Sequence, residues 1–321
     1  MAERAVCVVG TGLIGGSLLR AAGKAGRTVW GVSASARTAE QARADGFDVT
    51  PDFDAALRRA ADVDALVVLA VPLPAVPDVL GRVHAVAPTC RLTDAVSVKV
   101  PVAKAVARHA RRARYVGGHP MAGTADSGWA AGTAELFADA AWMIAADDRL
   151  DLDVWRDVAE LAWACGARVV PAAAAEHDRA VARVSHLPHL LAAVLAATGA
   201  GDADDDLALA LAASSFADGT RVAGTRPELV VAMCEGNRDA LLVAVDDALA
   251  RLTAARIMLA TTGRPERPVR AGHVARLRWV SRREPVGHRV RLDDPAALAA
   301  LREIGRRGDI VTGWTDRTSE P

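Results

Sequence analysis

His119 lies between the glycine pair Gly117-Gly118 and Pro120, and small and hydroxyl residues follow it as far as Gly128. Glycine and proline make this stretch a poor helix or strand, so the sequence places His119 on a loop. An imidazole titrates near neutral pH and can take a proton from a hydroxyl. The plainer reading is a turn histidine bonded to backbone. Gly10-Thr11-Gly12-Leu13-Ile14-Gly15 has the glycine spacing that lets a turn cradle a pyrophosphate. His186 and His189 stand three apart, which puts both rings on one face of a helix. By residue type they are core histidines, pocket residues or a metal pair, and with no third ligand in sight no metal is expected. Arg221, beside Phe216, Gly219 and Val222, is either a surface charge or a fork for a carboxylate.

The elements that must hold these residues can be read in order. Ala5 to Val9 is a short apolar run suited to a strand buried on both faces, and Leu18 to Ala22 favours helix. The glycine turn between them is therefore a dinucleotide fingerprint. Gly10 makes the tight turn, Gly12 admits the phosphates and Gly15 packs helix on strand, with Leu13 and Ile14 opening the helix. The next strand, Thr28 to Val32, ends at Ser33 rather than at the carboxylate that normally reads a ribose hydroxyl. Ser33 and Arg37 suit a 2′-phosphate instead, so the cofactor is NAD or NADP, with NADP or dual use favoured. The other reading of Arg37 is that it merely opens the following helix.

Ala65 to Val71 is another buried strand, and Val71-Pro72 begins a loop over the cofactor. Arg91 to Asp94 is a strand that delivers Ser97 to the same edge, where Ser97 can cap the helix that follows. Ala113 to Val116, Ala141 to Ala145 and Ala167 to Val170 continue the alternation of strand and helix, which implies one doubly wound parallel sheet. From Ala174 the pattern is helical. Pro188 is expected to kink a helix running to about Thr198 and free a carbonyl near Val184. Gly199 to Asp206 reads as a polar loop and Ser214 to Arg221 as a break between helices. Leu241, Val245, Leu249, Leu252 and Leu259 form a stripe suited to a core or a dimer face. Arg264 to Pro268 reads as a linker, followed by strands at Leu277–Ser281 and His288–Leu292, a helix at Pro295–Arg306 and a strand at Asp309–Thr312. The expected domains are residues 1–171, Rossmann-like and dinucleotide-binding; 172–262, all-helical, for dimerisation and substrate; and 263–321, a linker with a small α/β appendage.

Lysine and arginine number 39 and aspartate and glutamate 39, so bulk charge recruits no nucleic acid. Four cysteines lie far apart without metal spacing, which fits a reducing, cytoplasmic setting. The first residues lead straight into a strand, with no signal peptide expected. No unbroken apolar run reaches about 18 residues, so no membrane span is expected.

Together, Gly10–Ser17, Thr93–Lys99, Gly117–Gly128, Ser185–His189 and Phe216–Arg221 resemble, in order, the motifs of the prephenate dehydrogenase family, which includes arogenate-using members. The resemblance covers about residues 5–260. It implies oxidative decarboxylation of prephenate to 4-hydroxyphenylpyruvate in tyrosine biosynthesis, by a homodimer. It assigns His119 as the catalytic base, with Ser97 orienting it, and His189, Arg221, His186 and Thr124 to the substrate pocket. Ala125 stands where many relatives carry an acid, and Val230 stands near a position where many carry tryptophan. His189 favours prephenate over arogenate, and the appendage does not resemble the regulatory domain some members carry.

Overall fold

The computed structural model describes residues 3–124, 126–201 and 206–315. Ala125 thus lies outside the described residues, as does part of the expected loop after Gly199. The chain folds as two compact units. The first holds residues 1–178, 224–236 and 287–321, and the second 179–223 and 237–286.

In the first unit, β1 (Val6–Val9), α1 (Leu13–Lys24), β2 (Val29–Val32), α2 (Ala36–Ala44), β3 (Val49–Thr50), α3 (Phe53–Asp62), β4 (Leu66–Leu69), α4 (Val76–Val86), β5 (Arg91–Asp94), α5 (Val100–His109) and β6 (Arg114–Tyr115) alternate. All six strands are parallel, in the order β3-β2-β1-β4-β5-β6. The apolar runs of β1 and β4 are buried on both sides, which explains their lack of alternation. This is the expected doubly wound sheet, with its order reversing at β1 and β4, the place where such sheets bind ligands.

The strands beyond β6 leave that sheet. β7 (Gly118–Pro120), β8 (Ala141–Ala145) and β9 (Arg168–Ala172), with α6 (Leu152–Ala164) between the last two, build a second, mixed sheet. The single sheet expected from the sequence is thereby divided, and Gly117-Gly118 shows why. A Cβ on Gly117 would lie 2.9 Å from the Tyr115 hydroxyl, and one on Gly118 2.8 Å from the Asp94 carbonyl oxygen. The glycine pair lets the chain cross closely beneath β5 before pairing with β8. His119 is consequently a strand residue, opposite Met143 and only 9% exposed, not the loop residue expected from its flanking glycines and proline.

α7 (Ala174–Val181) follows β9 and passes into a π-helical turn, Ala182–His186, and then α8 (Leu187–Ala200). The expected kink at Pro188 takes this form: the widened turn accommodates a residue without an N–H while the helix continues. Ala174–Ala200 is long and apolar enough to cross a membrane by length and composition alone. Its first turns carry Glu176, Asp178 and Arg179, and Asp178 accepts from the first amide of α5.

The second unit adds α9 (Asp206–Ala210) and α10 (Ser214–Thr220), which is a short helix where a break was expected. α11 (Pro227–Gly236) belongs to the first unit, and α12 (Arg238–Thr262) and α13 (Glu266–Val280) complete the second. α13 corrects two expectations, the linker at Arg264–Pro268 and the strand at Leu277–Ser281. The apolar–polar alternation of Leu277-Arg278-Trp279 suits a strand, but among the described residues no strand pairs with it and the segment is helical.

The C-terminal α/β segment is present and is built onto the first unit. β10 (Gly287–Val290) pairs with β11 (Ile310–Trp314), β11 pairs antiparallel with β9, and α14 (Ala297–Arg306) lies across the strands' connection. Trp314 packs between Trp155 and Trp163, with ring centroids 5.9 and 4.9 Å away, and its indole donates to Glu160. Gly305 sits so close to Pro171 that a Cβ would lie 1.6 Å from its carbonyl oxygen.

Candidate active site

The glycine turn after β1 is shaped for a dinucleotide. Gly10 has φ of 95°, in the left-handed region, and a Cβ there would lie 2.5 Å from the Ala70 carbonyl and 2.8 Å from a Val71 methyl. Gly15 is tighter, its Cβ position only 1.8 Å from the Gly10 carbonyl. Gly12 is the opposite case, with nothing within 4 Å of a Cβ, so the space in front of it is open. Gly12 is also the N-cap of α1 and makes no side-chain bond to the first turn, where Leu13 and Ile14 lie. That open helix start, with its partial positive charge, suits a diphosphate. Pro72 continues the same edge beyond Val71 and leads into a helical turn at Leu73–Ala75.

At the end of β2, Ser33 is buried and its hydroxyl accepts from the Ser35 amide at 3.3 Å. Ser35 caps α2 through Thr38 N–H, and the first turn of α2 holds no acid. Arg37 projects from that turn, exposed. A capped helix with an exposed guanidinium and no carboxylate can take a phosphate where a ribose hydroxyl would otherwise be read.

At the carboxyl edge of β5, the buried groups form a continuous network. Asp94 accepts from Val96 N–H at 2.9 Å, from the Tyr115 hydroxyl at 2.6 Å and from the Lys99 ammonium. Lys99 also donates to the Gly118 carbonyl, so the residue before His119 is tied to the end of β5. Burial pushes the Lys99 pKa down, with Asp94 opposing the shift, and burial followed by the Asp94 charge pushes the Tyr115 phenol up. His119 Nδ1 lies 2.9 Å from His177 Nε2, the rings meeting edge to face at 84°. His177 Nδ1 lies 2.8 Å from the Asp178 carboxylate, which also accepts the Lys99 and Val100 amides at 2.8 Å each. Burial opposes ionisation of Asp178; the bonds from His177 and the two amides outweigh it and hold its pKa below the usual carboxylate range.

Asp178 thus supplies the N-terminal bonds of α5, whose N-cap Lys99 makes none with its own side chain. That leaves Ser97 out of the capping role: it lies half-buried on the β5–α5 loop and forms no side-chain hydrogen bond among the described residues. Thr124 is exposed and donates to the Asp126 carbonyl at 3.5 Å. Sequence reasoning passed over His177 and Asp178, read only as the opening of a helix, together with the Asp94–Lys99–Tyr115 cluster. The sequence signal was an acid at the end of the short strand Arg91–Asp94 with a lysine five residues on.

Asp178→Asn is expected to destabilise the protein by about 1–3 kcal/mol at neutral pH, through weakened bonds to buried donors. Because the native pKa is depressed, the wild-type advantage is complete above an unfolded value of about 3.9 and is lost as pH falls through the native value. Thermal unfolding of both proteins across that range checks this, and a gap that ignores pH contradicts it.

The second unit holds the other expected substrate residues. His186 lies in the π-helical turn, fully buried, and its Nδ1 accepts from the Asn237 amide at 3.1 Å. This bond ties the turn to the residue that precedes α12. His189, one turn on, is half-buried and its Nδ1 is enclosed without a hydrogen-bond partner among the described residues. Arg221 is exposed at the start of a 3-10 turn, Arg221–Gly224.

Comparison with known proteins places this arrangement. Residues 16–171 match the nucleotide-binding domain of prephenate dehydrogenase, and residues 173–268 match its dimerization domain. The chain belongs to the prephenate dehydrogenase family. It is 33% identical over 267 residues to a cyclohexadienyl dehydrogenase of Zymomonas mobilis, covering 80% of this chain and 88% of that one. Among solved structures, a provisionally assigned prephenate dehydrogenase of Corynebacterium glutamicum superposes with a TM-score of 0.91 at 44% identity, covering 97% of this chain and 99% of that one. An arogenate dehydrogenase of Synechocystis gives 0.70 at 30% identity, covering 86% and 99%. The protein is accordingly a dehydrogenase of tyrosine biosynthesis that works with a nicotinamide dinucleotide on a small-molecule substrate.

Proposed function

We propose that this family member oxidises and decarboxylates prephenate, with NADP as the preferred dinucleotide, and that it does so with His119 as the base. The observation that carries the reading is a buried imidazole anchored at 2.9 Å by a second histidine, on a strand tied through Gly118 and Lys99 to the end of β5, in the sheet whose glycine turn fits a diphosphate. When bound, the nicotinamide ring supplies a hydride acceptor. His119 takes the proton of the substrate's ring hydroxyl as C4 gives up its hydride, the carboxylate on the opposite carbon leaves as CO2 with its electron pair aromatising the ring, and the phenoxide oxygen takes the proton back. Arg221 pairs with a substrate carboxylate, while His189 and Thr124 make polar contacts and His186 supports His189 from within the helix. Ser97, on the β5–α5 loop, faces the nicotinamide. Gly10, Gly12, Leu13, Ile14, Gly15, Val71 and Pro72 hold the dinucleotide.

Purified protein is expected to reduce NADP on addition of prephenate, with release of CO2; silence with both NAD and NADP overturns the reading. Likeness to the Synechocystis arogenate enzyme favours arogenate as the second substrate, and the ratio of kcat/KM for the two acids decides between them. Arg37→Ala is expected to raise KM for NADP about tenfold, a loss of about 1.4 kcal/mol, with NAD little affected. Equal effects on both dinucleotides would remove Arg37 from the 2′-phosphate. Arg221→Ala is expected to raise the KM for prephenate by about tenfold or more with kcat nearly constant, as for a contact made equally in ground and transition states.

The helical unit makes the chain a homodimer. Leu191, Val194, Leu249, Leu252 and Trp279 are between 46% and 67% exposed, a large apolar surface for a soluble chain. Sedimentation at twice the chain mass is the expected result. All four cysteines are free, three of them buried with thiols pushed up to about 12 by burial, in keeping with a cytoplasmic enzyme.

A further inference from the structure

We infer that His177 and Asp178 are a positioning pair that fixes the proton of His119 on Nδ1 and so makes Nε2 the nitrogen that accepts the substrate's proton. The inference deepens the reading of His119 as base and rests on it.

The direction of each bond follows from the acceptor at the end of the chain. Asp178 is an anion that also accepts two amides, so it can only receive from His177, and His177 Nδ1 must carry the proton. With Nδ1 protonated, a neutral His177 has its lone pair on Nε2, and that lone pair faces His119 Nδ1 at 2.9 Å. His119 Nδ1 is then the donor. The competing arrangement, a doubly protonated His177 donating to His119, would move the His119 proton to Nε2 and block the base. Two surroundings oppose it. The Asp178 carboxylate beside His177 has both oxygens engaged by amides of α5. The buried Lys99 ammonium, held under the adjoining strand at Gly118, adds a like charge on that side.

The remaining charged groups around the pair are committed elsewhere. Asp94 serves Lys99 and Tyr115, Glu176 pairs with Arg306 on α14, and Asp147 accepts from the Ala174 amide at the start of α7. During turnover the hydroxyl proton goes to Nε2, and the imidazolium so formed keeps its Nδ1–H on His177, whose dipole is oriented by the Asp178 anion. No second proton moves.

The test is a long-range nitrogen–proton correlation spectrum of the full-length enzyme labelled in its histidines, with His119 assigned through His119→Asn. Wild type is expected to show His119 protonated on Nδ1. His177→Gln keeps an acceptor near the Nε2 position and should retain that tautomer and kcat within about tenfold. His177→Leu removes the acceptor and should shift His119 to the Nε2–H form, with kcat down about a hundredfold at nearly constant KM, the scale of a misdirected general base. An Nε2–H signal in wild type overturns the inference, as does a His177→Leu enzyme with tautomer and kcat unchanged. The spectrum needs no turnover, so the two claims fail separately. A wild type inactive on prephenate but protonated on Nδ1 removes the assigned reaction alone, whereas an active wild type with the wrong tautomer removes the positioning pair alone.

Discussion

Replacing His119 with asparagine is expected to lower kcat about a thousandfold while KM for prephenate changes less than about threefold. Asparagine places an amide N–H near the Nδ1 position, so the link to His177 and the pairing of β7 with β8 survive, and only the proton acceptor is lost. A thousandfold corresponds to about 4 kcal/mol of transition-state stabilisation, within reach of one general base. The fold is little disturbed because the strand is held independently through the Gly118 carbonyl and Lys99. Steady-state kinetics with saturating dinucleotide measure it. A variant that raises KM and keeps kcat would show that His119 only binds substrate.

Lys99→Met is expected to be the most destabilising single substitution in the nucleotide-binding unit. Lys99 and Asp94 are 1% and 0% exposed, so removal of the ammonium strands a carboxylate in the interior, at about 3–5 kcal/mol. Against a total stability of about 5–15 kcal/mol for a typical domain, that moves the denaturant midpoint strongly. Adding Asp94→Asn in the same chain removes the stranded charge and should restore part of the loss. Two independent losses that simply add would contradict the coupling. Activity should fall as well, because the Gly118 carbonyl loses the donor that holds the strand carrying His119.

How far this could be read from the residues depended on whether the interaction was local. The glycine turn, the buried strands β1 and β4, and the missing acid after β2 are local, and each stands where its sequence pattern placed it. The helical character after Ala174 was legible for the same reason. The His119 environment was not, because Gly117-Gly118 has the composition of a turn, yet its glycines serve close packing against Asp94 and Tyr115. Lys99 is marked locally only by Asp94 five residues before it, while the helix it begins is capped by Asp178, 79 residues away. The end of α13, expected as a strand at Leu277–Ser281, has a two-residue alternation, and among the described residues no strand lies beside it to pair.

The placement of β11 beside β9 bears on how the chain is made. The second sheet receives its last strands only after the intervening helices have been synthesised, so on the ribosome β9 waits with one flank unpaired for more than a hundred residues. An open flank of that kind attracts other extended chains. Slow translation or premature release before Trp314 emerges is therefore expected to yield inclusion bodies rather than a shortened soluble enzyme, and chaperone demand should be highest in that interval.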